Sequence, residues 1–232
     1  MKCSLIIPCY NEASSLPKLL ELCKDLGARD DMEVILVDNG STDNSPQVFA
    51  DLMPNYPGCR VVRVEVNQGY GYGILMGLRA ADGDLLGWTH ADLQADPQDI
   101  LAGLKLFEDN GPDIYVKGKR YGRPFMDVIF TIGMSIFETL LLGKRFWDIN
   151  AQPNLFSRSF FEQWSNPPSD FSLDLYVYHA ARVAGLRVFR FPVFFGQREH
   201  GVSNWNVNWV SKWKFIRRTI EFSLELRKKI VP

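Results

Sequence analysis

Short apolar runs alternate with longer amphipathic stretches through the first half of the chain. Residues 2–8, Lys-Cys-Ser-Leu-Ile-Ile-Pro, read as a buried strand. From about Ser14, the spacing of Leu16, Leu19, Leu20, Leu22, Cys23 and Leu26 predicts a helix with one apolar face, ended at Gly27. Residues 33–38 form a second strand, and the turn Asn39-Gly40-Ser41-Thr42-Asp43 leads to a helix over 45–52. Residues 60–66 form a third strand, and a glycine-rich turn from Asn67 to Gly73 opens a helix through Ala81. Residues 84–89 are a fourth strand, Pro97 starts a helix that runs to about Asn110, and 113–118 are a fifth strand.

The second half is less regular. Phe125–Leu142 is a strongly apolar helical segment, followed by a polar loop and a short strand over 154–156. A helix over 173–185 precedes a strand over 186–195, where Pro192 marks an edge or a bulge. Residues 198–204 are a loop, and Trp209–Ile230 is an amphipathic helix with a basic end. Trp205, Trp209 and Trp213 recur every four residues, which reads as a buried stripe.

Strands that are continuously apolar and separated by helices predict a mainly parallel, Rossmann-like α/β sheet flanked by helices. Right-handed crossovers then bring the turns after Pro8, Asp38, Val66 and Trp88 to one edge. Ligands of such sheets bind at that edge.

Composition narrows this picture only a little. The 232 residues suit one large domain, and a net charge of -1 gives no case for nucleic acid as a partner. Cys3, Cys9, Cys23 and Cys59 lack the paired spacing of a zinc site and sit among apolar neighbours, as buried reduced thiols of a cytoplasmic protein do. Met1-Lys2 leads straight into a strand, without a signal-peptide pattern. Asp127 and Glu138 interrupt the best candidate for a membrane span. Phe125–Leu142 therefore has three readings: a core helix, a homodimer surface, or a helix lying against a membrane. A core helix is the commonest fate of such a segment; the basic residues of the last helix add some weight to the third reading, because cytoplasmic leaflets are anionic.

The candidate chemistry gathers in the turn after the fourth strand. His90, Asp92 and Gln94 stand at two-residue spacing, which in an extended segment points all three side chains to one side. Imidazole, carboxylate and amide oxygen all ligate divalent cations. Asp96 before Pro97 has the form of a helix cap instead.

Four turn motifs occur in order: Pro8-Cys9-Tyr10-Asn11-Glu12, Val37-Asp38-Asn39-Gly40-Ser41-Thr42-Asp43, Asn67-Gln68-Gly69-Tyr70-Gly71 and Asp92-Leu93-Gln94. Together they resemble the family 2 glycosyltransferases of the GT-A fold, of the dolichol-phosphate mannose synthase-like and polyprenyl-phosphate sugar transferase-like kinds. The resemblance implies one GT-A domain over 1–232, with a nucleotide-sugar-binding half over 1–120 and an irregular acceptor-side half over 121–232. It implies that Pro8, Tyr10, Glu12, Asp38 and Gly69 bind the donor nucleotide, with Gly69 and Gly71 letting backbone approach it. Asp92 and Gln94, with His200 as a third ligand, would hold Mg2+ or Mn2+ on the donor diphosphate. His90, Arg120, Gln152, Arg198 and Ser203 would contact diphosphate or acceptor. Lys117, Lys119, Arg120 and Arg123 surround the end of the fifth strand. Asp174 stands near the position of a catalytic base, which a hydroxyl acceptor needs and a lipid phosphate does not.

Three positions depart from the family pattern: His90 and Asn39 stand where an acid is usual, and Asn204 where a lysine is usual. The implied activity is inverting, metal-dependent transfer from a UDP- or GDP-sugar to a lipid-linked or saccharide acceptor in cell-surface glycan synthesis. Two alternatives stay open: a catalytically weakened nucleotide-sugar-binding protein, and a polyprenyl-phosphate sugar synthase with a phosphate acceptor. A nucleotidyltransferase would need a glycine-rich basic loop after the first strand, where Pro8-Cys9-Tyr10-Asn11-Glu12 stands. A dinucleotide fingerprint would need a third glycine where Ile74 stands.

Overall fold

The computed structural model describes residues 1–197 and 209–230, with side chains for all of these except 209–215 and 229–230. Parallel strands β1 (Cys3–Cys9), β2 (Met32–Asn39), β3 (Cys59–Val64) and β4 (Leu85–Trp88) occupy the first half. The second half adds β5 (Ile114–Tyr121), β6 (Asn154–Ser157) and β7 (Arg187–Phe194). Among the described residues these seven strands form one sheet in the order β3-β2-β1-β4-β6-β5-β7. Strand β6 runs antiparallel between β4 and β5, so the sheet is mixed although mostly parallel. Pro192 lies on β7, an edge strand, where its missing N–H costs no ladder bond.

The period of two along β1 divides the core between the sheet's faces. Leu5 and Ile7 join one cluster, with Leu16, Leu19, Leu20, Cys23 and Leu26 of α1 (Leu16–Gly27). Ile6 joins the other, with Ile74, Leu75 and Leu78 of α3 (Tyr70–Ala80) and with Tyr178 of α7 (Leu173–Val183). Helices α2 (Ser45–Leu52), α4 (Ile100–Asn110) and the short α6 (Arg158–Phe161) complete the connections. All four cysteines are free and buried, as their apolar neighbours predict.

Helix α5 (Phe125–Leu142) is not the core helix that is the commonest fate of such a segment. Phe125, Met126 and Leu140 are 76%, 70% and 79% exposed, while Ser135 and Glu138 are buried. Its 18 residues have a mean hydropathy of 1.8, so by length and composition alone it could cross a membrane, contrary to the expectation that its two acids forbid this. The acids do not interrupt its outer face: buried Glu138 accepts a hydrogen bond from Ser223 Oγ at 2.7 Å, on α8 (Trp209–Ile230). The buried polar side chains Ser135 and Glu138 therefore face the protein, and Phe125, Met126, Ile136 and Leu140 face outward.

Candidate active site

The four turns do converge. Pro8, Tyr10 and Glu12 after β1, Asn39 at the end of β2, Gly69 before α3, and His90, Asp92 and Gln94 after β4 all line one cleft of about 510 Å³. Arg120, Arg123, Asp174 and the inner face of α5 close its other side.

Side-chain bonds tie the turns to one another. Asn11, at φ 56°, accepts hydrogen bonds on Oδ1 from the Thr42 and Asp43 amides at 2.8 and 3.3 Å, locking the first turn to the second. Glu12 accepts from Ser15 Oγ at 2.9 Å, and its own amide donates to Ser45 Oγ. Asp43 accepts from the Ser45 amide, the turn role its position suggests.

Asp38 is placed differently from its expected donor-binding role. It is buried, its Oδ1 accepts from the Ser41 amide at 3.0 Å, and its neighbour Asn39 lines the cleft instead. Strand alternation explains this, because successive residues face opposite sides of the sheet. Asn39 Nδ2 donates to the Gly69 carbonyl at 2.9 Å and so joins the second turn to the third. Gly69 lines the cleft at φ +115°, but a side chain there would meet the Ser169 carbonyl at 2.4 Å. At Gly71 it would meet the Asp170 carbonyl at 2.7 Å. These glycines thus make room for the 168–170 backbone. Tyr72 fastens that contact, its amide donating to Ser169 at 2.8 Å.

His90, Asp92 and Gln94 share the cleft through a turn, not through an extended segment. Leu93 between them sits at φ 60°, a conformation that bulky residues avoid. The Asp92 carboxylate accepts from the Gln94 amide at 3.2 Å. Gln94 Nε2 donates to the Gly196 carbonyl at 3.0 Å, which leaves its Oε1 as an acceptor towards a cation. Asp96 accepts from the Gln98 amide at 2.9 Å and is the cap expected before Pro97. The carboxylate and amide oxygens of Asp92 and Gln94 suit Mg2+ or Mn2+. No group of three or more His, Cys, Asp and Glu side chains forms a metal cluster among the described residues. His200, Arg198, Ser203 and Asn204 lie outside the described residues, as do the side chains of the tryptophan stripe.

The acceptor-side basic cluster is also rearranged. Lys117 is not at the end of a strand but in the middle of β5, fully buried. Arg120 lines the cleft with its guanidinium against Asp148, Nε to Oδ1 at 3.0 Å, and its amide also donates to Asp148 at 3.1 Å. Arg123 and Arg190 approach the same carboxylate at 3.7 and 3.8 Å. Burial opposes the Asp148 charge, but Arg120 and then Arg190 outweigh it and hold the carboxyl below its ordinary range. Arg120 also covers the Phe195 ring at 5.1 Å.

Gln152 is buried, its Nε2 donating to Asp174 Oδ1 at 2.8 Å and to the Tyr70 hydroxyl at 3.2 Å. Tyr70 stacks on Phe171 at 4.6 Å, making an aromatic wall beside His90. Sequence reasoning missed Asp148 as the organiser of the arginines, and it missed the buried state of Lys117. The available signal for the second was a lysine breaking an apolar run, Ile114-Tyr115-Val116-Lys117.

A mostly parallel sheet with a polar cleft at the carboxyl ends of its parallel strands defines a nucleotide-binding class of α/β protein. Within that class the chain belongs to glycosyl transferase family 2, whose profile matches residues 4–161. It is 42% identical over 105 residues to the undecaprenyl-phosphate 4-deoxy-4-formamido-L-arabinose transferase of Proteus mirabilis, covering 43% of this chain and 31% of that protein. The protein of the same name from Serratia proteamaculans is 40% identical over 114 residues, 47% of this chain and 34% of that one. The match thus spans about a third of these relatives' length.

Among solved structures, glucosyl-3-phosphoglycerate synthase from Mycobacterium tuberculosis, in complex with Mn2+, UDP and glucosyl-3-phosphoglycerate, gives a TM-score of 0.73 at 18% identity, over 97% of this chain and 79% of that chain. A mannosyltransferase from Pyrobaculum calidifontis in complex with GDP-Man and Mn2+ gives 0.69 at 19% identity, over 97% of this chain and 64% of that one. These likenesses show a shared GT-A fold.

Proposed function

We propose that this enzyme transfers a sugar, with inversion, from a nucleoside-diphosphate sugar to a polyprenyl phosphate at the cytoplasmic face of a membrane. The observation that carries the reading is the two-sided cleft. On one side stand the nucleotide-side turns and the Asp92–Gln94 pair, on the other Arg120 and Arg123 beside a helix with an exposed apolar face. Asp92 and Gln94 would hold Mg2+ or Mn2+, with His200 as a further ligand. Bound there, the cation would neutralise charge that grows on the departing diphosphate. Pro8, Tyr10 and Glu12 would line the nucleoside pocket, and Asn39 joins them. Asp38 would act by holding its turn.

On the acceptor side, Arg120 and Arg123 offer cations to a lipid phosphate. The outer face of α5 would lie in the membrane surface with its polar face on the protein. The relatives named as undecaprenyl-phosphate transferases support the acceptor class, and the metal-bound, nucleotide-bound neighbours support the donor class. One observation favours a saccharide hydroxyl instead: Asp174, a carboxylate in the cleft where a base would serve.

The test is transfer by the purified chain from a panel of UDP-, GDP- and dTDP-sugars to undecaprenyl phosphate in vesicles with Mn2+. The expected product is an acid-labile lipid-linked sugar phosphate. Transfer to saccharide hydroxyls alone would overturn the acceptor assignment, and nucleotide binding without any transfer would support a weakened binding protein.

A further inference from the structure

A phosphate acceptor is already an anion and needs no base, which leaves the carboxylate of Asp174 without a role in that chemistry. Its surroundings are built with care. Asp174 stands in the first turn of α7, 2% exposed, yet it lines the cleft. The hydrogen bonds it accepts both end on Oδ1, from Gln152 Nε2 at 2.8 Å and Asn154 Nδ2 at 3.2 Å. Lys117 Nζ lies 4.0 Å from the same oxygen. These three groups thus converge on one oxygen of a carboxylate that lines the cleft.

Lys117 is fully buried and donates to the Ala151 carbonyl at 2.7 Å and to Asn154 Oδ1 at 2.6 Å. Asn154 Oδ1 also accepts from the Tyr115 hydroxyl at 2.5 Å, so this amide relays between lysine and aspartate. A buried ammonium is costly unless it serves a partner, and a methionine of similar length would fill the same space at less cost.

We propose that Lys117 is a positioning residue that acts through Asp174, holding that carboxylate by Oδ1 so that Oδ2 accepts a hydrogen bond from a hydroxyl of the transferred sugar. The proposal rests on the nucleotide-sugar reading above. The donor sugar is the relevant partner because Gln152 bonds both Asp174 and the Tyr70 hydroxyl, and the Tyr70 ring lies 5.8 Å from that of His90, in the turn assigned to the diphosphate that carries the sugar. Burial raises the Asp174 carboxyl, and Lys117 first and His90 second pull it back. Burial lowers the Lys117 ammonium to about 7, against the support of Asp174. Arg190 on β7, Asp148 before β6 and Arg120 on the same strand also face Lys117, and the Tyr70 and Tyr115 hydroxyls feel the Asp174 charge.

The experiment measures kcat/KM for the donor that the panel selects and for its monodeoxy analogues, with undecaprenyl phosphate held saturating. The wild type should reject one analogue by about 100-fold or more, because a site built for a hydroxyl is left unpaired without it. Asp174→Asn and Lys117→Met should each reduce that discrimination below about tenfold, with the affinity for UDP or GDP alone unchanged. Lys117→Met should also move the acid limb of kcat/KM to higher pH by about one unit or more, since Asp174 loses the cation that lowers it. If Lys117→Met does not fold, Lys117→Gln, which keeps a donor near the Ala151 carbonyl but no charge, carries the test, with discrimination again reduced and the acid limb again moved. Wild-type discrimination in either Lys117 variant, or an unmoved acid limb, would overturn the proposal. A wild type that transfers no sugar would overturn the functional reading itself, before any variant is made.

Discussion

Helices α1 and α5 spend their apolar residues in opposite ways. The 12 residues of α1 bury Leu16, Leu19, Leu20, Cys23 and Leu26 against the sheet. The 18 residues of α5 are more apolar, yet those they bury are Ser135, Glu138 and Leu142. The nucleotide-side helix is thus built for water outside and core inside. The acceptor-side helix has a polar inner face and an outer face suited to a low-dielectric medium. Hydrophobicity alone does not say which side of a helix is inside; the partner surface does.

Breaking the nucleotide side should have the largest effect. Asp92→Ala is expected to lower turnover by about 100- to 1,000-fold, while thermal melting changes little because Asp92 stands in an irregular turn outside both core clusters. Near-normal turnover in that variant would remove Asp92 from the diphosphate site.

The contrast between the helices themselves can be measured next. Leu20→Ala should cost about 2–5 kcal/mol in urea unfolding, since Leu20 is fully buried. Leu140→Ala should stay within about 0.5 kcal/mol, but it should weaken binding to anionic vesicles by about fivefold in a sedimentation assay. Equal stability losses at the two sites would mean that α5 is covered in the folded protein.

A smaller effect tests the polar face of α5. Burial raises the Glu138 carboxyl from 4.5 to about 7, with the Ser223 hydroxyl pulling it back. Between these two values the folded chain keeps a proton that the unfolded chain has released. The stability contributed by Glu138 is therefore complete below pH 4.5 and is lost as pH rises through about 7. The loss is up to about 3 kcal/mol, and Glu138→Gln should remove that part of the pH dependence between pH 5 and pH 8 in urea midpoints. An unchanged slope would show that Glu138 titrates normally and that the α5–α8 contact is wet.

The order of strands and helices, the convergence of four turns and the places of Asp92, Gln94 and Asp96 were legible because each follows from local rules. Apolar runs, glycines and prolines, and right-handed crossovers need no knowledge of distant residues. The sequence pointed to Asp38 as a donor contact, whereas Asn39 lines the cleft: a one-residue difference along a strand changes the face, and only the pairing of β2 with β1 and β3 decides which face meets the cleft. Gly69 and Gly71 were legible as special positions, but the 168–170 backbone they admit lies about a hundred residues further along the chain.

The sequence by itself thus determined the fold class and the residue types gathered at the edge of the sheet. The tertiary structure alone decided that β6 inserts antiparallel beside β4, carrying Asn154 to Lys117 and Asp174. It also decided that Asp148 collects Arg120, Arg123 and Arg190, and that α5 turns its apolar face outward. The physical reason is common to all three. Periodicity records which side chains share a face, whereas charge pairing and burial depend on what the folded chain brings opposite that face.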